Sequence, residues 1–154
     1  MGISRRQFFM TFAGAVASCS ILTVLPGRLF AKWNAGAFKA GRIDDAIREK
    51  YGALPVEDSA AIHLTVPDLA EDGAFVPVSV ASDIPGITSI SIFSETNIFP
   101  LVASFDVLPR MRPDVSLRIR VAETAKIVAV AKAGDRLYMS FKLVVVSVGG
   151  CGCG

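Results

Sequence analysis

The sequence has few of the residues from which catalytic and metal sites are usually built. It contains one histidine, His63, and only three cysteines among 154 residues. One histidine cannot complete a multi-histidine metal site, and we find no Ser/His/Asp or Cys/His set around it. His63 alternates with Ile62 and Leu64, which predicts a structural role on the solvent face of a strand. Carboxylates such as Asp44 and Asp45 are scattered, and we interpret them as surface groups. We therefore expect a protein that is not an enzyme and that has neither a metal nor a cofactor.

A basic block and a glycine-rich phosphate loop are also absent. Three of the 16 basic residues, Arg5, Arg6 and Arg28, precede Lys32, and no acidic residue does. The remaining chain has 13 basic residues against 14 acidic ones. Nucleic-acid binding requires a concentrated positive surface to neutralise phosphates. The charge distribution therefore excludes nucleic acid as a partner.

The N-terminus lacks the ~20 uninterrupted apolar residues of a membrane span. Its apolar stretch, Met10 to Leu25, contains four Ser or Thr residues and is followed by Pro26. Ser4-Arg5-Arg6-Gln7-Phe8-Phe9 precedes this stretch and is typical of a twin-arginine export signal. We predict that residues 1–31 are this signal, cleaved after Ala31, and that the exported protein is periplasmic and no longer in the membrane. A retained anchor stays open as an alternative.

Cys19 lies inside the apolar stretch, in the sequence Val16-Ala17-Ser18-Cys19. This resembles a lipoprotein cleavage box, so lipidation of Cys19 is an alternative. Apolar residues continue beyond Cys19, and we therefore interpret it as a cysteine that is lost with the signal. The other two thiols would reach an oxidising compartment, where cysteines are seldom left without a purpose.

In the exported part, apolar residues recur mostly with the period of two that is typical of strands and seldom with the helical period of 3.6. One short helix is predicted from Asp44 to Tyr51, ending at Gly52, within a linker region of residues 32–60. From residue 61 the pattern alternates, with Gly and Pro at the turns. We predict an all-β fold, an immunoglobulin-like antiparallel β-sandwich of about seven strands spanning residues 61–148. The predicted strands begin at Ala61 and continue with Phe75–Ala81, Ile87–Phe93, Leu101–Val107, Val115–Val121, Ala125–Ala131 and Leu137–Val148.

The last predicted strand is apolar on both faces toward its end. A sandwich strand normally has one solvated face, so something must cover the second face of this one. Two candidates stay open: a partner subunit, or the N-terminal helix or a loop of the same chain.

The chain ends in a tail whose only side chains beyond Val148 are the thiols of Cys151 and Cys153. The other tail residues are Gly149, Gly150, Gly152 and Gly154. Glycine lacks a Cβ, so residues 149–154 are predicted to be a thin, flexible arm. Cys151 follows Val148 by three residues, a reach of roughly 10 Å. Because no cation flanks it, its thiol should keep a pKa of about 8.5, which suits a carried group better than a self-activating nucleophile. The alternative is a binding domain whose tail has no function.

These residues resemble the SoxY family of bacterial sulfur oxidation, whose mark is a C-terminal Gly-Gly-Cys-Gly-Gly behind a twin-arginine signal. Gly149 to Gly152 match that tail, and the stretches Val66 to Val78 and Val121 to Gly134 are also similar. The resemblance implies a periplasmic sulfur carrier with thiosulfate-derived sulfur held covalently on Cys151. It further implies a heterodimer with a SoxZ-type subunit, a c-type cytochrome complex that attaches thiosulfate, and a hydrolase that releases sulfate.

Cys153 departs from the family tail, which has a single thiol. Two thiols one residue apart could form a small disulfide, exchange sulfur or bind a soft metal such as Cu(I). We expect Cys153 to be a subsidiary thiol. The alternative is a periplasmic dithiol redox or Cu(I)-binding module that uses Cys151 and Cys153 together.

Overall fold

The computed structural model describes residues 34–147, and within them the chain is mostly β-structure in two sheets. Two short helices precede the sheets, and none of the described helices is long and apolar enough to cross a membrane. The elements are α1 (Ala35–Lys39), α2 (Ile43–Tyr51), β1 (Val56–Asp58), β2 (Ile62–Thr65), β3 (Leu69–Ala70), β4 (Val76–Ser82), β5 (Ile87–Ser94), β6 (Leu101–Asp106), β7 (Asp114–Ile119), β8 (Ala125–Ala133) and β9 (Arg136–Val146).

The larger sheet has the strand order β1-β9-β8-β5-β6, with β3 also paired to β9, and the smaller sheet has the order β2-β4-β7. Five strand pairs are antiparallel: β2–β4, β4–β7, β5–β6, β5–β8 and β8–β9. The all-β, immunoglobulin-like sandwich is therefore confirmed, and each of the seven predicted strands is present. Two strands were missed: β1 and β3 run parallel to β9 and occupy different parts of its free edge. They have only three and two residues, too few to show a periodicity.

Alternating side chains of the two sheets form the main core between them. Val76, Val78 and Val80 of β4 are buried against a cluster that includes Ile90 and Ile92 of β5. On β7 the alternation is equally clear, because Ile119 is buried whereas Arg118 and Arg120, on either side of it, are exposed. This alternation is typical of a strand with one face in the core and the other in solvent.

The helices cover part of the outer face of the larger sheet. Ala37, Ala46 and Ile47 are buried with a second set of sheet residues, among them Phe93, Val128, Val130 and Leu137. Asn34 joins the helices, since its side-chain oxygen accepts from Ala37 N and its amide donates to Glu49 O. Residues 34–58 therefore contain more than the linker and single helix expected there: helix α1 and strand β1 belong to the folded unit. As predicted, α2 ends at Gly52, which has a φ of 79°.

Tyr51, at the end of α2, fixes this helix to the sheet through hydroxyl groups. Its hydroxyl lies 2.6 Å from Ser91 Oγ and 3.1 Å from Ser89 Oγ, and Ser91 Oγ donates to Ser104 Oγ at 3.0 Å. Ser89 and Ser91 are buried, so the tyrosine supplies hydrogen bonds that water cannot. Burial raises the pKa of Tyr51 above its usual value of 10.0, the two serine hydrogen bonds oppose the rise, and the carboxylate of Asp106 adds to it.

We predict that Tyr51→Phe lowers the free energy of unfolding by about 1–2 kcal/mol, because Ser89 and Ser91 lose a buried hydrogen-bond partner. The folded pKa is raised, so the contribution of Tyr51 is fully present below about pH 10 and is lost as the pH rises through the folded pKa. Urea denaturation at pH 7 and between pH 9 and 11 measures both effects. The free energy of unfolding of the variant should decline less steeply in alkali than that of the parent. Equal slopes for the two proteins would contradict the assignment.

Candidate functional site at the root of the C-terminal arm

Every residue that the sequence analysis placed in a functional role lies outside the described residues 34–147. This applies to Arg5, Arg6 and Cys19 at one end and to the tail at the other, whose site residues are Gly149, Gly150, Cys151, Gly152, Cys153 and Gly154. What the structure describes is the place where the tail begins. That place is the end of β9, with Ser147 as its last described residue.

The end of β9 is hydrogen-bonded to the chain on both sides. On one side β3 accompanies it, because Val145 N donates to Asp68 O at 2.9 Å and Ser147 N donates to Ala70 O at 3.0 Å. On the other side Val146 N donates to the hydroxyl of Thr124 at 3.1 Å. The residue from which the tail departs is therefore held in place, whatever the tail itself does.

A cavity of about 500 Å³ lies at this point. One wall is Asp72 to Ala74, just after β3, the other is Arg120 to Thr124, between β7 and β8, and the end of β9 completes the lining. The residues that line it are Asp72, Gly73, Ala74, Arg120, Val121, Ala122, Glu123, Thr124, Val146 and Ser147.

The two walls of the cavity approach each other closely at Gly73. Its carbonyl accepts from Val121 N at 2.8 Å, and a Cβ built on Gly73 would lie 2.5 Å from Val121 O and 3.0 Å from Val146 Cγ1. Asp72 supports this turn, because its Oδ1 accepts from Ala74 N at 2.8 Å. No other residue type fits here without a backbone shift, so the closeness of the walls depends on glycine.

Asn97 braces the second wall from the β5–β6 connection. Its Nδ2 donates to Arg120 O at 2.9 Å, and its Oδ1 accepts from Ala122 N at 3.3 Å. Thr96 Oγ1 also donates to Glu123 O, at 3.5 Å. Polar side chains of one loop therefore satisfy backbone groups of the other, which gives the wall a defined shape without regular secondary structure.

The charged groups of the lining are two carboxylates, Asp72 and Glu123, and one guanidinium, Arg120, all on exposed residues. The apolar part is Val121, which is 1% exposed, together with half-buried Val146. The lining contains no cysteine or histidine, and the described residues form no group of three or more potential metal ligands.

His63 does not line this cavity. Its Nε2 lies 2.6 Å from Asp83 Oδ2, and the two side chains are 55% and 80% exposed. The predicted position on the solvent face of a strand is confirmed. An exposed pair of this kind contributes little to stability.

The outer face of β9 changes from covered to exposed along the strand. The helices cover Leu137 and Met139, whereas Phe141, Leu143 and Val145 are 52%, 57% and 42% exposed. Leu69, the register partner of Val145 on β3, is 57% exposed. We call Leu69, Phe141, Leu143 and Val145 the β9 apolar patch. Of the two covers that the sequence analysis left open, the N-terminal helices therefore bury only the first half of this face.

Sequence reasoning did not single out the residues of the cavity. The signal was present, because the wall with Gly73 lies in the stretch Val66 to Val78 and most of the other wall opens the stretch Val121 to Gly134. These are the two interior stretches that carried the family resemblance, and the fold brings them together at the root of the tail.

The fold and this site define a class: an immunoglobulin-like β-sandwich whose last strand leads into a short Gly/Cys tail. A family model described as sulfur oxidation protein SoxY matches residues 47–151. The sulfur carrier protein SoxY from Chlorobium limicola f thiosulfatophilum has a similar structure, with a TM-score of 0.66 and 54% sequence identity over 70% of this chain and 97% of that one. The chain belongs to the SoxY family.

Two further solved structures are similar at a lower level. The human F-spondin reeler domain has 11% identity over 60% of this chain and 94% of its own, with a TM-score of 0.42. A chain from a study of T cell activation by the bacterial superantigen toxic shock syndrome toxin-1 has 15% identity over 55% and 100%, with a TM-score of 0.40. No curated protein matches this sequence.

We predict that Gly73→Ala destabilises the protein by about 1–3 kcal/mol, since its Cβ would force the two cavity walls apart. The midpoint of urea denaturation measures the loss. The matched control is Gly41→Ala, because a Cβ at Gly41 meets nothing within 4 Å and its backbone requires no positive φ. Equal midpoints for the two variants would show that the walls adapt and that glycine is not required.

Proposed function

We propose that this protein is a periplasmic sulfur carrier that holds thiosulfate-derived sulfur covalently on Cys151 and presents it to separate enzymes. The observation that carries the proposal is the fixed end of β9 followed by a Gly/Cys tail, in a chain of the SoxY family. A rigid root and a glycine-rich arm together allow one thiol to enter the narrow site of another protein while the sandwich stays outside. The similar Chlorobium protein is itself named a sulfur carrier.

The proposed reactions require only a thiolate from the carrier. Attachment joins the Cys151 thiolate to the outer sulfur of thiosulfate as Cys–S–S–SO₃⁻, and two electrons leave to a c-type cytochrome complex. Hydrolysis then cleaves the S–SO₃ bond with one water, which releases sulfate and two protons and leaves a persulfide on Cys151. The partners supply the oxidant and activate the water, so the carrier itself is not an enzyme and needs no cofactor beyond the covalent adduct.

Export by the twin-arginine route belongs to the same proposal. The pair Arg5 and Arg6 ahead of the apolar stretch supports it, because that pathway delivers proteins to the periplasm. Residues 1–31 would be removed there, leaving a carrier with Cys151 and Cys153 as its thiols.

We predict that Cys151→Ser abolishes loading and that Cys153→Ser leaves it within about twofold of the parent. Cys151 occupies the family's carrier position, and its substitution removes the thiolate that attacks thiosulfate there. Intact mass of protein isolated from the periplasm, before and after a thiol reductant, detects the adduct, and fragmentation of the C-terminal peptide locates it.

Each variant serves as the experimental control for the other, since both remove one thiol from the same tail. Equal loss of function in both, with a Cys151–Cys153 disulfide or bound Cu(I) in the parent, would favour the dithiol module over the carrier. A reductant-labile mass on Cys151 in the Cys153→Ser protein would exclude that alternative.

We further propose that the β9 apolar patch binds a SoxZ-type second subunit. Its four large apolar side chains continue a face that the helices already cover, and contiguous exposed apolar surface marks interaction sites. Lys126 lies beside it, with its Nζ 3.8 Å from the centroid of the Phe141 ring, which holds that ring in a defined position on the strand. The family resemblance supports this choice of partner.

We predict that Leu143→Glu weakens binding of the SoxZ-type subunit by about 30-fold or more, the ~2 kcal/mol loss typical of a central interface residue. Isothermal titration of the purified subunits measures it. Leu108→Glu is the matched control, a leucine of similar exposure outside the patch, 63% against 57%. An affinity that falls equally in both variants, or in neither, would assign the interface elsewhere.

A further inference from the structure

We propose that a second cavity, between helix α2 and strands β1 and β9, receives a lysine or arginine side chain of the SoxZ-type subunit and extends the interface at the β9 apolar patch. The cavity has a volume of about 520 Å³, and its lining includes Asp44, Ile47 and Arg48 of the helix and Val56, Asp58 and Met139 of the strands. We call it the α2–β1 groove. The inference rests on the proposed binding of that subunit to the patch, and it names the part of this chain that selects the partner by charge.

The β9 apolar patch is too small to hold a stable subunit by itself. Its four side chains are between 42% and 57% exposed. Even if each had the surface of an aromatic side chain, roughly 200 Å², the patch would offer only about 400 Å². A specific, stable interface buries about 800 Å² on each partner. A subunit bound to the patch must therefore also contact the surface next to it.

The α2–β1 groove adjoins the patch along β9. Met139 lines the groove, and Phe141 of the patch follows it by two positions, so the two side chains lie on the same face of the strand. Val56 and Asp58 of β1 widen this face, because they pair in register with Leu137 and Met139. The apolar surface therefore continues from Phe141 over Met139 to Val56, which is 43% exposed.

Two carboxylates of the groove, those of Asp44 and Asp58, have no positive partner among residues 34–147. Neither takes part in an ion pair there, whereas Glu57, next to Asp58, is paired with Arg136 at 2.7 Å. Arg48, four residues after Asp44 on the same helix, is the one cation in the lining. It can offset only one of the two carboxylates, so the groove has one more negative charge than positive.

A lysine or arginine side chain fits a site of this composition. Its methylene stem can lie on Val56 and Met139, which supply apolar surface. Its charged end can then reach the two exposed carboxylates. Charges at the rim of an interface act mainly on partner choice and on the rate of association. The groove therefore discriminates among possible partners, whereas the patch supplies most of the apolar contact.

Reversal of charge in the groove tests the inference by isothermal titration with the purified SoxZ-type subunit. Asp44→Lys and Asp58→Lys should each weaken binding by about tenfold, and the loss should shrink at high salt, which screens exposed charges. Asp45→Lys is the matched control, since Asp45 is exposed in the same first turn of α2 but does not line the groove. Its affinity should change by less than about twofold.

Filling the groove tests the inference without a change of charge. Ala53→Trp places an indole in the lining and should weaken binding by about tenfold or more, because the partner's side chain is then excluded. Ala60→Trp is the matched control, at an exposed alanine outside both the groove and the patch, and should bind like the parent. A midpoint of urea denaturation close to that of the parent shows that each variant is folded.

The outcomes distinguish this inference from the proposed interface. If Leu143→Glu weakens binding while the groove variants bind like the parent, the subunit occupies the patch alone and the inference is wrong. Equal losses in Asp44→Lys and Asp45→Lys would also overturn it, because a general effect of charge would explain both. If Leu143→Glu binds like the parent, the interface at the patch is wrong and the inference fails with it. Loading of Cys151 tests the carrier function separately.

Discussion

The hydrogen bonding of β9 on both of its edges is the constraint on which the rest of this structure depends. Along one edge it pairs with β8 over nine residues, and along the other it meets β1 at its start and β3 at its end. A strand with such neighbours cannot fray at its last residue without breaking bonds on two sides. The fixed position of Ser147 follows from this pairing, and so do the cavity beside it and the orientation of the apolar patch.

The shape of the arm root results from backbone contacts more than from side chains. Gly73 lets the chain after β3 approach Val121 at a distance that any Cβ would prevent, and Asn97 holds the same wall from the opposite direction. Backbone groups in irregular segments must find partners when water is excluded, and here three loops satisfy one another. The result is a preformed recess beside Ser147, the last described residue before the tail.

Much of this fold could be predicted from the sequence, because seven strands of four or more residues show a period of two with Gly or Pro between them. Helix α2 was predictable from the spacing of Ile43 and Ile47, but α1, β1 and β3 were not, since a five-residue helix and strands of three and two residues are too short to show a period. The candidate site, too, could be predicted only in part. Cys151 stands out in the sequence by its glycine neighbours, whereas the cavity is assembled from three segments far apart in the chain, and only the fold brings them together.

Placing the apolar patch and the arm root on one strand has a mechanical consequence. Val145 belongs to the patch and Val146 to the cavity, so adjacent residues of β9 face the apolar patch on one side of the sheet and the cavity on the other. A subunit bound to the patch would add contacts to the strand that holds the arm, but it would leave the cavity side open. For the proposed carrier, this arrangement keeps the start of the tail at a fixed place on the sandwich and separates it from the surface proposed for the second subunit.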